Sequence, residues 1–150
     1  MDRQLGNLVI RKIRPEDAEQ ISKIHSSITK SGAQIDFKYI IEKKLLTSED
    51  VSFVAEIDGH VVGYMITYLI YGGFDLDKSA WVATLGVDPK YMGQGIGRRL
   101  AKKVFEVYRE KGIEYIFTSV KWDAVDLLSF FKTLGFDRSD FVNLGKKLEL

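Results

Sequence analysis

The sequence predicts a mixed α/β domain around one sheet, and three observations carry that prediction. Apolar residues alternate in some runs and recur every third or fourth residue in others, the periods of strand and helix. Two strand-like runs flank Asp58-Gly59, the strongest short hairpin signal. A glycine-dense turn, Gly93-Gln94-Gly95-Ile96-Gly97, opens directly into an amphipathic helix. A length of 150 residues suits one domain, residues 1–150, with a real hydrophobic core.

The elements follow in order. Residues 8–14 read as a first strand. Pro15 suits the first turn of a helix, and Glu16 and Asp17 are favourable at its positive end. Ala18, Ile21, Ile24, His25 and Ile28 share one face of that helix, which Ser31-Gly32 breaks. Phe37, Ile40, Ile41 and Leu45 form the stripe of a second helix. Residues 51–57 and 60–70 read as hairpin strands, and residues 80–87 as a fourth strand after a loop from Tyr71-Gly72-Gly73.

The helix after the glycine turn places Ile96, Leu100, Val104 and Tyr108 inward, and Lys102, Lys103, Glu106, Arg109 and Glu110 outward, until Gly112 ends it. Residues 113–120 are β-rich. Residues 126–134 are helical, with Leu127, Phe130, Phe131 and Leu134 on one face and Gly135 as the stop. Residues 141–150 alternate at Val142, Leu144, Leu148 and Leu150, the pattern of a last strand. The order is β-α-α-β-β-β-α-β-α-β.

Composition excludes several classes. The net charge of +1 gives no electrostatic case for nucleic acid or an anionic membrane. No cysteine is present, which excludes disulfides, thiolate metal sites and a cysteine nucleophile. His25 and His60 form no metal-spacing motif. His25 reads as a packing residue and His60 as an exposed one beside a turn. The N-terminus, with Asp2, Arg3 and Gln4, lacks a signal-peptide pattern, and no apolar run approaches the roughly 20 residues of a membrane span. The expectation is a cytoplasmic protein; a homodimer is compatible with it.

The turn at residues 93–97 points to a phosphorylated ligand. A helix N-terminus presents unpaired N–H groups and the positive end of the dipole, and glycines admit close backbone approach. A P-loop requires Lys-Ser/Thr after the last glycine, and Gly97 is followed by Arg98-Arg99. A dinucleotide fold requires G-x-G-x-x-G after a first strand, and the spacing here is G-x-G-x-G after several strands. A coenzyme A pyrophosphate cradle remains, beside a ligand-free glycine turn.

At this point the chain resembles the GNAT N-acetyltransferase superfamily. The pattern V-D-P-x-Y-x-G-x-G-I-G-R-x-L stands at residues 87–100, and F-F-x-x-x-G-F at residues 130–136. The resemblance implies a GNAT-like fold: one mixed, mainly antiparallel sheet, splayed between its fourth and fifth strands and flanked by about four helices. It implies acetyl transfer from acetyl-CoA, a co-substrate, to a primary amine by direct attack in a ternary complex, with no metal. The acceptor would be a small-molecule or peptide amine; protein N-terminal acetylation is one form of this reaction.

The implied cofactor contacts are the backbone of Leu85, Gly86 and Val87 for pantetheine, and of Met92, Gly93, Gln94, Gly95, Ile96, Gly97 and Arg98 for the pyrophosphate. Phe131, a further implied cofactor contact, stands where the family often has a thiolate-protonating Tyr, Ala124 where it often has Asn, and Met92 where it has Arg or Gln. These departures leave open a CoA-binding sensor without turnover. Gly86 marks a bulge or a close backbone approach in the fourth strand.

The implied base is a carboxylate, often acting through water, and a fourth-strand N–H near Leu85 or Val87 would face the oxyanion. Some family members carry Glu where Ser119 stands. Asp123 is the candidate base, with helix capping as its other reading; Asp126 and Glu56 are alternatives. Acceptor choice falls to the link at residues 29–36 and to the loop at residues 71–77 with Phe74, Asp75 and Asp77. Trp81 reads as core or as part of the acceptor mouth. Arg98, Arg99, Lys102 and Lys103 are either partners of the 3′-phosphate or a solvated basic face.

Overall fold

The computed structural model describes residues 5–29, 34–44 and 51–149. Strand β1 (Leu8–Lys12) leads through a 3-10 turn (Pro15–Asp17) into helix α1 (Ala18–Ile28) and helix α2 (Phe37–Lys44). Strands β2 (Phe53–Ile57), β3 (His60–Tyr71) and β4 (Lys78–Val87) follow, then a second 3-10 turn (Pro89–Tyr91) and helix α3 (Ile96–Glu110). Strand β5 (Ile116–Thr118) and helix α4 (Val125–Thr133) complete the elements. The predicted break at Ser31-Gly32 and the stripe residue Leu45 lie outside the described residues.

The sheet order is β1-β2-β3-β4-β5. The first four strands are antiparallel neighbours, and β5 lies parallel to β4. At the β2–β3 turn Asp58 (φ 49°) and Gly59 (φ 81°) are both left-handed, which matches the twist of a tight hairpin. β5 pairs only at Ala80–Ile116, Trp81–Phe117 and Val82–Thr118. Beyond Val82 the two strands part, and β4 runs on to Val87 paired to β3 alone. This is the predicted splay.

Each face of the sheet carries its own core. Ile21, Ile24, Phe37 and Ile41 of α1 and α2 pack on Val54, Val61, Tyr64 and Ile66. Ile96, Leu100, Val104 and Tyr108 of α3, with Phe131 of α4, pack on Phe53, Ala55, Val62, Met65, Ala80 and Val82. The inward stripe read from the sequence is thus the stripe observed. At the ends of α3 and α4, Ile113 N–H donates to Tyr108 C=O (3.0 Å) and Phe136 N–H to Phe131 C=O (3.1 Å), the wide bond of a glycine-closed terminus.

A buried polar network ties α3 to the hairpin. Tyr108 Oη lies 2.6 Å from Thr67 Oγ1 and accepts from Val51 N–H at 3.3 Å. Thr67 Oγ1 also donates to Val51 C=O, and Thr67 N–H donates to Ser52 Oγ at 2.9 Å. Leaving a buried donor unmatched costs about 1–3 kcal/mol. Tyr108→Phe should therefore lower the thermal midpoint by about 3–10 °C. An unchanged melting curve would mean that the network contributes nothing to stability.

One predicted element is absent. Residues 141–149 form no strand. Alternation supplies a face, whereas a strand also requires a neighbour to complete its hydrogen bonds. β5, expected over residues 113–120, pairs over three residues only, because β4 turns away from it.

Candidate functional site

The glycine turn is fastened to the centre of the sheet. A bulge at Val62 separates the register pairs Ala55–Gly63 and Glu56–Val61. The Val62 carbonyl accepts from Asp88 N–H at 2.8 Å. The Asp88 side chain then accepts from Lys90 N–H at 2.9 Å and starts the 3-10 turn that leads to Met92. Gly63 lets α3 lie close: a Cβ there would stand 3.0 Å from Ile96 Cγ2 and 3.3 Å from Gly86 O.

Gly95 caps α3 in the left-handed conformation (φ 82°, ψ 11°) and offers no side-chain hydrogen bond. Arg99 N–H closes the first helical bond onto Gly95 C=O at 3.0 Å. The N–H groups of Ile96, Gly97 and Arg98 consequently point out of the helix end without helical partners. Nothing lies within 4 Å of where a Cβ of Gly93 or Gly95 would be, so this side of the turn is open. Gln94 Oε1 is buried there without a hydrogen-bond partner. Gly97 is different: a Cβ would meet the Phe130 ring at 3.1 Å. The turn thus combines an open, uncapped helix end with a packed helix contact. Met92 is 52% exposed, and Arg98, Arg99 and Lys102 project into solvent, whereas Lys103 reaches Glu106 at 3.9 Å.

The other half of the site is the free side of β4. Asp88 N–H points to β3, and an extended chain alternates the direction of its N–H groups. Val87 and Leu85 therefore direct theirs into the splay, away from β3. The bulge in β4 falls at Ala83, between the pairs Ile66–Thr84 and Thr67–Val82, and not at Gly86. Gly86 serves a close approach instead. A Cβ there would stand 2.7 Å from Ile28 Cδ1 and 2.8 Å from Tyr64 Cε1. Tyr64 is fully buried, and burial pushes its hydroxyl pKa up. Sequence reading missed Tyr64; its register partnership with Gly86 is the signal, and that emerges only with strand pairing.

The carboxylates separate clearly. Glu56 accepts from Arg11 Nε at 2.6 Å, and Arg11 also reaches Asp17 at 2.7 Å. The hydrogen bond that Arg11 donates to Asp17 leads in raising the Arg11 pKa, against desolvation, with Glu56 adding to it. Glu56 is thereby bound into a structural triad. Asp126 lies in the exposed first turn of α4. Asp123 is exposed in the turn between β5 and α4. It is not the helix cap, because Ala124 holds that position with no side-chain bond. Phe131 is 4% exposed and packs edge-on against Phe130 and Phe136. The ring that reaches the α3 N-terminus is its neighbour Phe130, a motif residue to which the sequence assigned no role.

An aromatic group covers the β4–β5 junction on the far side. Phe74 stacks on Phe117 at 4.5 Å and on Trp81 at 5.8 Å, and Phe141 meets Phe74 edge-on at 5.0 Å. Phe74 and Asp75 hold left-handed φ values of 58° and 57° to make this turn. Trp81 is half-buried within that stack. His25 is buried at both ring nitrogens, without hydrogen-bond partners, and packs edge-on against Phe37 at 5.4 Å. His60 is exposed beside the hairpin turn. Among the described residues there is no group of three or more His, Cys, Asp and Glu that could hold a metal ion, and no helix is long and apolar enough to cross a membrane.

Solved structures share this fold. An aminoglycoside acetyltransferase from an uncultured soil metagenomic sample, in complex with sisomicin, superposes with a TM-score of 0.80 at 21% identity, over 97% of this chain and 100% of that one. The enzyme AAC(6')-Iy, in complex with a CoA-containing bisubstrate analogue, gives 0.77 at 19% identity, over 94% and 98%. A ribosomal-protein-alanine N-acetyltransferase from Brucella melitensis biovar Abortus 2308 gives 0.75 at 16% identity, over 95% and 99%. Likeness at these identities shows the fold. The acetyltransferase (GNAT) family model matches residues 18–136. With its splayed sheet and open glycine turn, the chain belongs to the GNAT acetyltransferase family.

Proposed function

We propose that this chain transfers an acetyl group from acetyl-CoA to a primary amine in a ternary complex. The observation that carries the reading is the pairing of two features on one side of β4. The uncapped α3 end at residues 95–98 suits a pyrophosphate, and the unpaired β4 backbone at Leu85 and Val87 suits the pantetheine amides. The backbone of Met92, Gly93 and Gln94 completes the cradle in this reading. Two structural neighbours were crystallised with CoA or a CoA analogue, which supports the choice of acyl donor.

Acetyl-CoA supplies an activated thioester when bound. The chain's part is to orient it and to manage protons. A β4 N–H at Leu85 or Val87 is the donor for the carbonyl oxygen as charge grows there. The exposed Asp123 carboxylate, through water, accepts the proton that the ammonium must lose before its nitrogen can attack. The amine gains the acetyl group, and the CoA sulfur departs. Phe131 has no proton to give, so water protonates that sulfur. The aromatic group around Phe74 and the neighbouring carboxylates Asp75 and Asp77 suit a cationic acceptor.

The test is thiol release from acetyl-CoA across a panel of amines, paired with calorimetry for acetyl-CoA, ATP and NAD. Binding of acetyl-CoA alone, with turnover on at least one amine, is the expected result. Tight binding with no turnover on any amine would make the protein a CoA sensor. Asp123→Asn should lower kcat at least tenfold, remove one limb of the pH–rate profile and leave acetyl-CoA affinity within about twofold. An unchanged profile would relieve Asp123 of the base role.

A further inference from the structure

A buried polar atom without a hydrogen-bond partner lowers stability, so each one calls for a reason. Among the described residues five buried side-chain polar atoms lack a partner. Three of them lie on the face of the sheet that α1 and α2 cover: both ring nitrogens of His25 and the hydroxyl of Tyr64. The Phe37 ring meets both residues edge-on, His25 at 5.4 Å and Tyr64 at 5.9 Å. Tyr64 is fully buried. Burial raises its hydroxyl pKa and the Thr84 side chain tempers the rise, yet no hydrogen bond of normal geometry joins the two.

The hydroxyl stands at a particular rung of the sheet. Tyr64 pairs in register with Gly86, between Leu85 and Val87, whose N–H groups face the splay. Strands lie about 4.8 Å apart, less than the length of a Tyr side chain. With no Cβ on Gly86, the ring extends across to β4, and Tyr64 Oη ends 2.9 Å from where that Cβ would stand. Here β4 is paired to β3 alone, so the hydroxyl overlies the strand that borders the splay. Ile28, the half-buried last residue of α1, covers the same point, with Cδ1 2.7 Å from it.

The two faces of the sheet differ in what they can receive. α3 and α4 pack on one face, and the proposed acyl donor enters from the α3 end. Tyr64 lies on the other face, with α1 and α2. A polar group there meets the molecule that arrives opposite the donor, which is the acceptor.

We propose that Tyr64 binds the acceptor: with the Ile28 side chain turned aside, its hydroxyl oxygen accepts a hydrogen bond from the amine N–H and holds that nitrogen beside the thioester. The inference rests on the acetyl-transfer reading above. Burial keeps the phenol neutral, so it offers a lone pair without taking the proton of the amine, which still leaves through water to Asp123. The hydroxyl is unmatched in the free chain because its partner is the substrate, a cost in stability that binding sites retain.

Tyr64→Phe is the test, since it removes one oxygen and leaves the ring in place. An unmatched hydroxyl contributes no bond to the free fold. The melting temperature should therefore rise by about 2–5 °C, opposite in sign to Tyr108→Phe. Turnover is measured with acetyl-CoA and a panel of spermidine, tyramine and an alanyl peptide. For the best of these amines KM should rise about tenfold or more, while kcat stays within about threefold and acetyl-CoA affinity within about twofold. A lower melting temperature would mean that the hydroxyl is bonded within the protein. A fall in kcat at unchanged amine KM would put it on the thioester and not on the amine. No change in either constant would leave it outside the site. Each of these results overturns the inference while the acetyl-transfer reading stands. Native chains that bind no acetyl-CoA, or that turn over none of the amines, overturn both.

Discussion

Gly95→Glu should weaken acetyl-CoA binding more than 100-fold, with little change in the circular dichroism spectrum. The substitution acts at the open end of α3, where nothing occupies the space a Cβ would take. A carboxylate placed there meets the N–H groups that would otherwise receive phosphate, and it repels the diphosphate itself. Each tenfold in affinity is about 1.4 kcal/mol, and helix-end effects alone run from about 0.3 to 2 kcal/mol. Repulsion and lost volume supply the rest. The left-handed φ of 82° adds a backbone cost of about 1–2 kcal/mol for any side chain. Gly95→Ala is the control for that cost, and it should retain affinity within about tenfold. Calorimetry on both variants separates strain from occupancy. If Gly95→Glu binds as the native chain does, the cradle is not at residues 92–98.

The second large effect is expected at Gly86. Gly86→Ala puts a Cβ 2.7–2.9 Å from Ile28 and from the Tyr64 ring and hydroxyl, distances real Cβ atoms essentially never show. The Tyr64 ring has no room to retreat, since it is fully buried against Phe37 of α2. Overpacking of this kind costs about 1–3 kcal/mol, or about 3–10 °C in melting temperature. Adding Ile28→Ala should recover part of the loss by opening the side nearest α1. A melting temperature equal to that of the native chain would refute the close packing. The two glycines thus make opposite demands: Gly95 preserves open space, and Gly86 admits protein.

Local signals were legible in the sequence, and pairing was not. Asp58-Gly59 determines its hairpin through two left-handed residues, and the α3 stripe determines which face is buried. The glycine turn announced an exposed helix end because three glycines surrounding a helix start have few other uses. By contrast, the bulge at Ala83 carries no residue signature; it emerges from the register of β3 on β4. The role of Gly86 is set by Tyr64, 22 positions earlier, and that of Glu56 by Arg11 on the neighbouring strand. The alternation at residues 141–149 reads as a last strand, yet no strand forms there, because a pattern of side chains does not supply a hydrogen-bonding neighbour. Motif comparison placed attention on Phe131, while packing directs Phe130 to the α3 end.

The bond from Asp88 N–H to the Val62 carbonyl has a consequence for how such a protein changes over time. It rivets the glycine turn to the central hairpin without passing through the loop at residues 71–77 or through β5. In the proposed reading, grip on the donor and taste for the acceptor therefore reside in separate parts. The second can drift or lengthen while the first stays calibrated.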